Sequence, residues 1–239
     1  VSDRSLKKRV PLLNMGVPNV YAEACRSLRT NLLAAATKGH CSLLITSAAP
    51  GEGKSIVAAN LALLLGRSGH RVLLIDADMR RPVLHHLLNS DQRPGLSDVL
   101  KGRSRPSQAV IGTRFANVWL LPSGACPPNP SELVGSRRFQ EFLDKLEEYF
   151  DWVIIDSPPA MAVTDPAIIG RIADGVLFVV NAQRTRRRIA QAALDRLETA
   201  GATFAGVVLN AVRLDRDRYY NERYYMPFYG DYLADKRSA

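Results

Sequence analysis

Leu43-Leu44-Ile45-Thr46-Ser47-Ala48-Ala49-Pro50-Gly51-Glu52-Gly53-Lys54-Ser55 runs from apolar residues into a turn of small ones and closes on a cation and a hydroxyl. A short apolar run bounded by small residues predicts a buried strand, and the alanine-rich segment from Ser55 to Gly66 predicts the helix that follows. In so tight a strand-to-helix turn the backbone N–H groups converge and the positive end of the helix dipole points at whatever sits there, which suits phosphate. Gly51 and Gly53 keep Cβ atoms out of the way of an approaching anion.

The spacing is that of a Walker A loop, G-x-x-x-x-G-K-[ST], except that Ala48 stands where the first glycine is usual. The segment from Ala49 through Pro50, Gly51, Glu52, Gly53, Lys54 and Ser55 to Ile56 is the expected cradle for the phosphates of ATP. Lys54 is expected to bring a point charge to the β- and γ-phosphates, and the Ser55 hydroxyl to ligate Mg²⁺. The bland alternative is a Gly-rich turn that happens to precede a helix.

Two further apolar runs end in carboxylates. Arg71 to Asp78 predicts a strand closing on Asp76 and Asp78, and Asp151 to Asp156 a second one followed by Ser157-Pro158-Pro159. Parallel strands buried on both faces read as continuous apolar runs, and ligands in open α/β sheets sit beyond the carboxyl ends of the strands. Asp76, Asp78 and Asp156 are therefore expected beside the loop, where a cation such as Mg²⁺ relieves their repulsion. Strand-ending acids can also simply cap the next turn.

The rest of the chain continues the alternation. Gly175 to Asn181 and Thr203 to Asn210 predict two more strands, with a helix from Thr185 to Ala200 between them that opens on Arg184, Arg186, Arg187 and Arg188. Such a run is either a solvated face or a contact for another subunit, a lipid surface or an anionic substrate. Ser136 to Phe150 has helical spacing with Phe139, Phe142, Leu143 and Leu146 as its buried stripe. Adjacent His85 and His86 point to different sides of a short helix, which disfavours joint metal chelation. Together these elements predict one α/β domain, a mainly parallel sheet with helices on both faces.

At 239 residues the chain can bury one substantial core, and its formal charge of +9 favours anionic partners without choosing among them. Three widely spaced cysteines with no C-x-x-C pairing argue against a zinc or redox motif and fit a reduced compartment. No apolar run is long enough to span a bilayer and no leader pattern opens the chain. It starts at Val1 rather than methionine, so it is also readable as part of something longer. No DNA-reading module is recognisable, and no nucleic-acid partner is expected.

Residues 1–19 are basic and proline-interrupted, an expected linker; 20–212 form the expected domain; 213–239 form a tail. Along the predicted helix from Val20 to Thr37, Glu23, Arg26 and Arg29 recur every third residue. They read either as a local ion pair or as a self-complementary contact in which one subunit's guanidinium groups grip a carboxylate on the next. Six of the eight tyrosines lie in the tail: Tyr219, Tyr220, Tyr224, Tyr225, Tyr229 and Tyr232. Their doublet spacing builds no single helix face, so a substrate segment explains them better than a packed aromatic patch or a stacking surface.

In this order, Glu23-x-x-Arg26-x-x-Arg29, the Ala48 to Ser55 loop, Leu74-Ile75-Asp76-Ala77-Asp78-Met79-Arg80-Arg81-Pro82, Ile154-Ile155-Asp156-Ser157-Pro158-Pro159 and the tyrosine cluster resemble the bacterial P-loop tyrosine kinases that accompany capsule and exopolysaccharide synthesis. The resemblance covers nearly the whole chain and places it in the wider superfamily of MinD- and ParA-type ATPases. It implies that Asp76 and Asp78 form a second acidic motif, that Asp156 is the Walker B carboxylate, and that Asn210 contacts adenine. It implies also that Glu23, Arg26 and Arg29 mediate a homo-oligomeric ring in which one subunit's tail is phosphorylated in its neighbour's site. A membrane-embedded activator, separate or on the same chain, would hold the domain at the cytoplasmic face of the membrane.

Two departures stand out. Cys25 occupies a position where many members carry tyrosine, and Ala49 stands where the positioning ATPases carry a signature lysine. The second departure and the tail favour a kinase over a MinD/ParA-like positioning ATPase or interaction module. In the kinase reading Asp76 is the first candidate for the base that takes the tyrosine proton, and Asp78 the second.

Overall fold

The computed structural model describes residues 19–35 and 41–213. The expectations for the basic arm and for the six tail tyrosines lie outside those residues. Six strands run parallel: β1 (Cys41–Ser47), β2 (Val72–Asp76), β4 (Val118–Leu121), β5 (Trp152–Asp156), β6 (Gly175–Asn181) and β7 (Phe204–Asn210). A two-residue strand, β3 (Ile111–Gly112), pairs antiparallel with β4 at one edge, giving the order β3-β4-β2-β5-β1-β6-β7.

Nine helices surround this sheet among the described residues: α1 (Asn19–Ala35), α2 (Lys54–Arg67), α3 (Leu84–Leu88), α4 (Leu96–Leu100), α5 (Pro106–Ala109), α6 (Pro130–Val134), α7 (Arg137–Leu146), α8 (Asp165–Ile172) and α9 (Arg187–Thr199). The central strands show why the apolar runs had to be continuous. Leu43 and Ile45 face a core built with α2 and α3, while Leu44 between them faces a second core built with α7, α8 and α9. Leu74 and Leu73, Ile154 and Val153, Leu177 and Phe178 divide between the two faces in the same way. Each such buried aliphatic side chain contributes about 1.5–3 kcal/mol, so a polar residue at any of these positions would be felt.

The Phe139, Phe142, Leu143 and Leu146 stripe of α7 is buried as its spacing predicts, and Ser136 caps that helix by accepting from the Phe139 N–H. The strand carrying two acids is shorter than the sequence suggests: β2 stops at Asp76, and Asp78 lies in the loop beyond it. Strand β7 alternates between half-buried and exposed positions, as befits an edge rather than a fully covered strand. No described helix is long and apolar enough to cross a membrane.

Because β5 is inserted between β1 and β2, the chain leaving β1 must cross over it. The turn after β1 therefore opens beside the ends of β2 and β5.

Candidate active site

Gly53 takes a left-handed backbone, φ +98°, at the N-cap of α2, and Gly51 does so at φ +81°. A Cβ on Gly53 would fall 2.1 Å from the Asn210 side-chain nitrogen, so a larger residue would have to displace Asn210 as well as strain the left-handed backbone. That nitrogen donates to the Glu52 carbonyl at 2.8 Å. Asn210 is thus fastened to the back of the loop.

Glu52 is itself buried and turned inward. One carboxylate oxygen accepts from the Ala49 N–H at 3.0 Å and the other from the Thr185 hydroxyl. Thr185 in turn accepts from the Asn181 N–H at 3.1 Å, at the end of β6. Three strand ends therefore hold the loop: β1 leads into it, while β6 and β7 brace it. Glu52 is expected in the cradle, but its side chain is turned away as an internal tie, which leaves only its backbone to face a phosphate.

On the other flank, the register pairs Asp76 directly with Asp156 across β2 and β5. Both are fully buried. One Asp76 oxygen accepts from the Val83 and Leu84 N–H groups at 3.1 and 3.0 Å, while its second oxygen and both oxygens of Asp156 have no hydrogen-bond partner. Burial, then the neighbouring Asp156, pushes the Asp76 carboxyl well above the usual range. Burial pushes Asp156 up to about 6, against the downward pull of the Lys54 ammonium and the Ser55 hydroxyl. The hydroxyl is near enough to favour the ionised form without reaching bonding geometry.

Asp78 accepts from the Arg81 N–H at 3.0 Å and meets the Lys54 ammonium at 3.5 Å. The structure thus gathers Lys54, Ser55, Asp76, Asp78 and Asp156 beyond the carboxyl ends of the central strands β1, β2 and β5. Among the described residues no three His, Cys, Asp or Glu side chains converge into a cage for a bare metal ion. The orphaned, hard carboxylate oxygens nonetheless fit Mg²⁺, an ion that keeps much of its water and takes few protein ligands.

The Glu23, Arg26 and Arg29 triplet does not act as one unit within this chain. Arg26 pairs with Glu23 at 2.6 Å on the exposed face of α1, whereas Arg29 donates to Ser68 at 2.8 Å, at the C-cap of α2. A cation there complements the negative end of the α2 dipole. His85 is buried and His86 exposed, in keeping with packing and surface roles.

Two ties escaped sequence reasoning. Arg80 grips the buried carboxylate of Asp165 with two nitrogens at 3.2 Å each and donates to Ser131 at 3.0 Å, locking the loop after Asp78 onto α8. The Thr164-Asp165-Pro166 signature of a helix start could have located Asp165 but not its partner. Thr185, hidden in an arginine run, had no local signal.

An AAA-domain family profile matches residues 43–198. The chain is 38% identical over 203 residues to the tyrosine-protein kinase YwqD of Bacillus subtilis, covering 84% of this chain and 86% of that protein. It is 40% identical over 220 residues to the tyrosine-protein kinase Wzc of Salmonella typhimurium, covering 91% of this chain but only 31% of Wzc. The chain therefore spans about a third of the length of that longer relative. The crystal structure of the chimerical protein CapA2B2 superposes with a TM-score of 0.81 at 35% identity, over 86% of this chain and 90% of that one. The MinD protein of Pyrococcus horikoshii, solved as a complex with Mg-ADP, is more distant, with a TM-score of 0.62 at 27% identity over 71% of this chain and 70% of MinD. Positioning ATPases are thus distant kin, and the chain belongs to the bacterial P-loop tyrosine kinases, as a protein-tyrosine kinase domain of that family.

Proposed function

We propose that this chain transfers the γ-phosphoryl group of ATP, with Mg²⁺, to tyrosine hydroxyls in the 213–239 tail of a neighbouring copy. The observation that carries this reading is the convergence of Lys54, Ser55 and the three aspartates at the carboxyl ends of the central strands. Lys54 and the loop amides would hold the phosphate charge that spreads over the transferred group. Ser55, Asp78 and Asp156 would hold Mg²⁺, partly through water. When bound, the ion would neutralise charge on the bridging and terminal phosphate oxygens.

A tyrosine with a pKa of about 10 attacks well only while its proton is being taken. The unpartnered oxygen of Asp76, on a carboxyl made more basic by burial, suits that task, and Asp78 is the second candidate. Asn210, already fixed to the loop, would contact adenine. Glu23, Arg26 and Arg29 would join subunits into a ring at the inner face of the membrane, through an activator on the same or another polypeptide. The output would be control of capsule or exopolysaccharide polymerisation and export. Phosphates on the tails would loosen such a ring, since each adds about −1.5 to −2 charges.

Intact mass after incubation with Mg²⁺ and ATP tests this. Phosphate-sized increments that map beyond Arg213 are expected, and a chain that hydrolyses ATP while its tail stays unmodified would instead support the positioning-ATPase reading.

A further inference from the structure

Arg184, Arg186, Arg187 and Arg188 are all exposed, and among the described residues none of them takes part in an ion pair. Positive charges at the N-terminal end of a helix oppose its dipole and repel one another, so this run lowers the stability of α9 unless an anion joins it. The side chain of Arg186, at the N-cap, caps nothing, and first-turn amides have no acceptor within a helix. The same segment forms one wall of a cleft of about 320 Å³, with Arg184, Thr185, Arg186 and Ile189 facing the Ala49 to Glu52 stretch of the phosphate loop.

The chain leaves the domain at this place. The Asn210 carbonyl accepts from the Ala182 N–H at 2.8 Å, and the Gln183 side chain donates to the Ala211 carbonyl at 2.6 Å. The 26 residues after Arg213 therefore start beside the arginines. Unmodified, they carry five acidic and five basic side chains and offer no net charge. Each phosphotyrosine adds about −1.5 to −2 charges and oxygens that match guanidinium forks. Tyr219 is six residues beyond Arg213, a span of roughly 20 Å when extended.

We propose that the arginine run at the start of α9 is a docking site for phosphotyrosines of the chain's own tail, beginning with Tyr219 and Tyr220. Docking rests on the autokinase reading only for the origin of the phosphates. It retains the product in cis and withdraws the tail from the neighbouring subunit. The unmodified tail, with no net charge, is left free to serve as substrate.

Amide hydrogen exchange on the full chain tests the proposal, comparing the phosphorylated form, the phosphatase-treated form and a variant carrying R184Q, R186Q, R187Q and R188Q. An unrelated tyrosine kinase phosphorylates the tail where the chain does not do so itself, so failure of self-phosphorylation is read separately from failure of docking. Exchange over residues 184–190 is expected to slow at least threefold on phosphorylation, equally at two protein concentrations tenfold apart, and to show no slowing in the arginine variant. Equal exchange with and without phosphate, or slowing that persists in the arginine variant, would overturn the proposal. Protection lost on dilution would overturn its cis form, placing the phosphotyrosines on a second copy.

Discussion

Around the phosphate loop the buried polar groups are matched, whereas at the ends of β2 and β5 three carboxylate oxygens are not. Glu52 is tied to Ala49 and Thr185, and Asn210 to the Glu52 carbonyl. Asp76 and Asp156, opposed across two strands and fully buried, keep oxygens with no partner and carboxyls that resist ionisation. The contrast teaches that the cradle for phosphate is finished by the protein alone, while the acidic flank is left to be finished by a cation. Buried groups held at such a cost in stability are a mark of sites where function outweighs it.

The largest effect that could break this contrast is at Asp156. Its folded carboxyl titrates near 6, above an unfolded value near 3.9, so its contribution is fully present below about pH 4 and is lost as pH rises through 6. Without Mg²⁺, Asp156→Asn is expected to stabilise the domain at pH 7.5 by up to about 3 kcal/mol, a shift of two units at about 1.4 kcal/mol each, and to flatten much of the pH dependence. Asp76, raised as well, leaves a residual slope in the same direction. Urea denaturation between pH 4 and 8 measures both, and a destabilised Asn variant would show that Asp156 is satisfied without a cation. Mg²⁺ with nucleotide is expected to stabilise the wild type more than the variant.

A smaller effect sharpens the other half of the comparison. Thr185→Val removes one partner of the buried Glu52 carboxylate and is expected to cost about 1–3 kcal/mol. It should also weaken nucleotide binding by loosening the loop, and Thr185→Ser should restore both. Calorimetric titration with a nonhydrolysable ATP analogue follows the binding, and unaltered affinity in the valine variant would show that the loop holds its shape unaided.

Much of this was legible in the sequence, and the limit has a physical shape. Continuous apolar runs announced β1, β2 and β5 because both faces of those strands are covered, and the glycines and Lys54 announced the loop because its chemistry is local. Thr185 reaches Glu52 across 133 positions and Arg80 reaches Asp165 across 85, and nothing in either neighbourhood encodes the other. The two-residue β3 and the short α5, α6 and α8 are set by packing rather than by any period a window could show. Arg29 read as one of three equals, yet the approach of α2 turns it away from Glu23 toward Ser68.

The smallest effect concerns that triplet. The exposed Glu23 and Arg26 pair is worth no more than about 0.5 kcal/mol within one chain. Glu23→Ala is therefore expected to leave the melting temperature nearly unchanged while lowering the mass of any assembly measured by light scattering at matched concentration. A large loss of monomer stability with an unchanged assembly would confine the pair to the helix on which it sits.

The most direct measurement mixes two full-length chains. Lys54→Met supplies an intact tail without the loop cation, and a chain whose six tail tyrosines are phenylalanine supplies the site without acceptors. With γ-labelled ATP and Mg²⁺, neither alone should label its tail, and together they should place label on the Lys54→Met chain, beyond Arg213. Full labelling of Lys54→Met on its own would contradict the account, because the cation at the centre of the phosphate loop would then be dispensable.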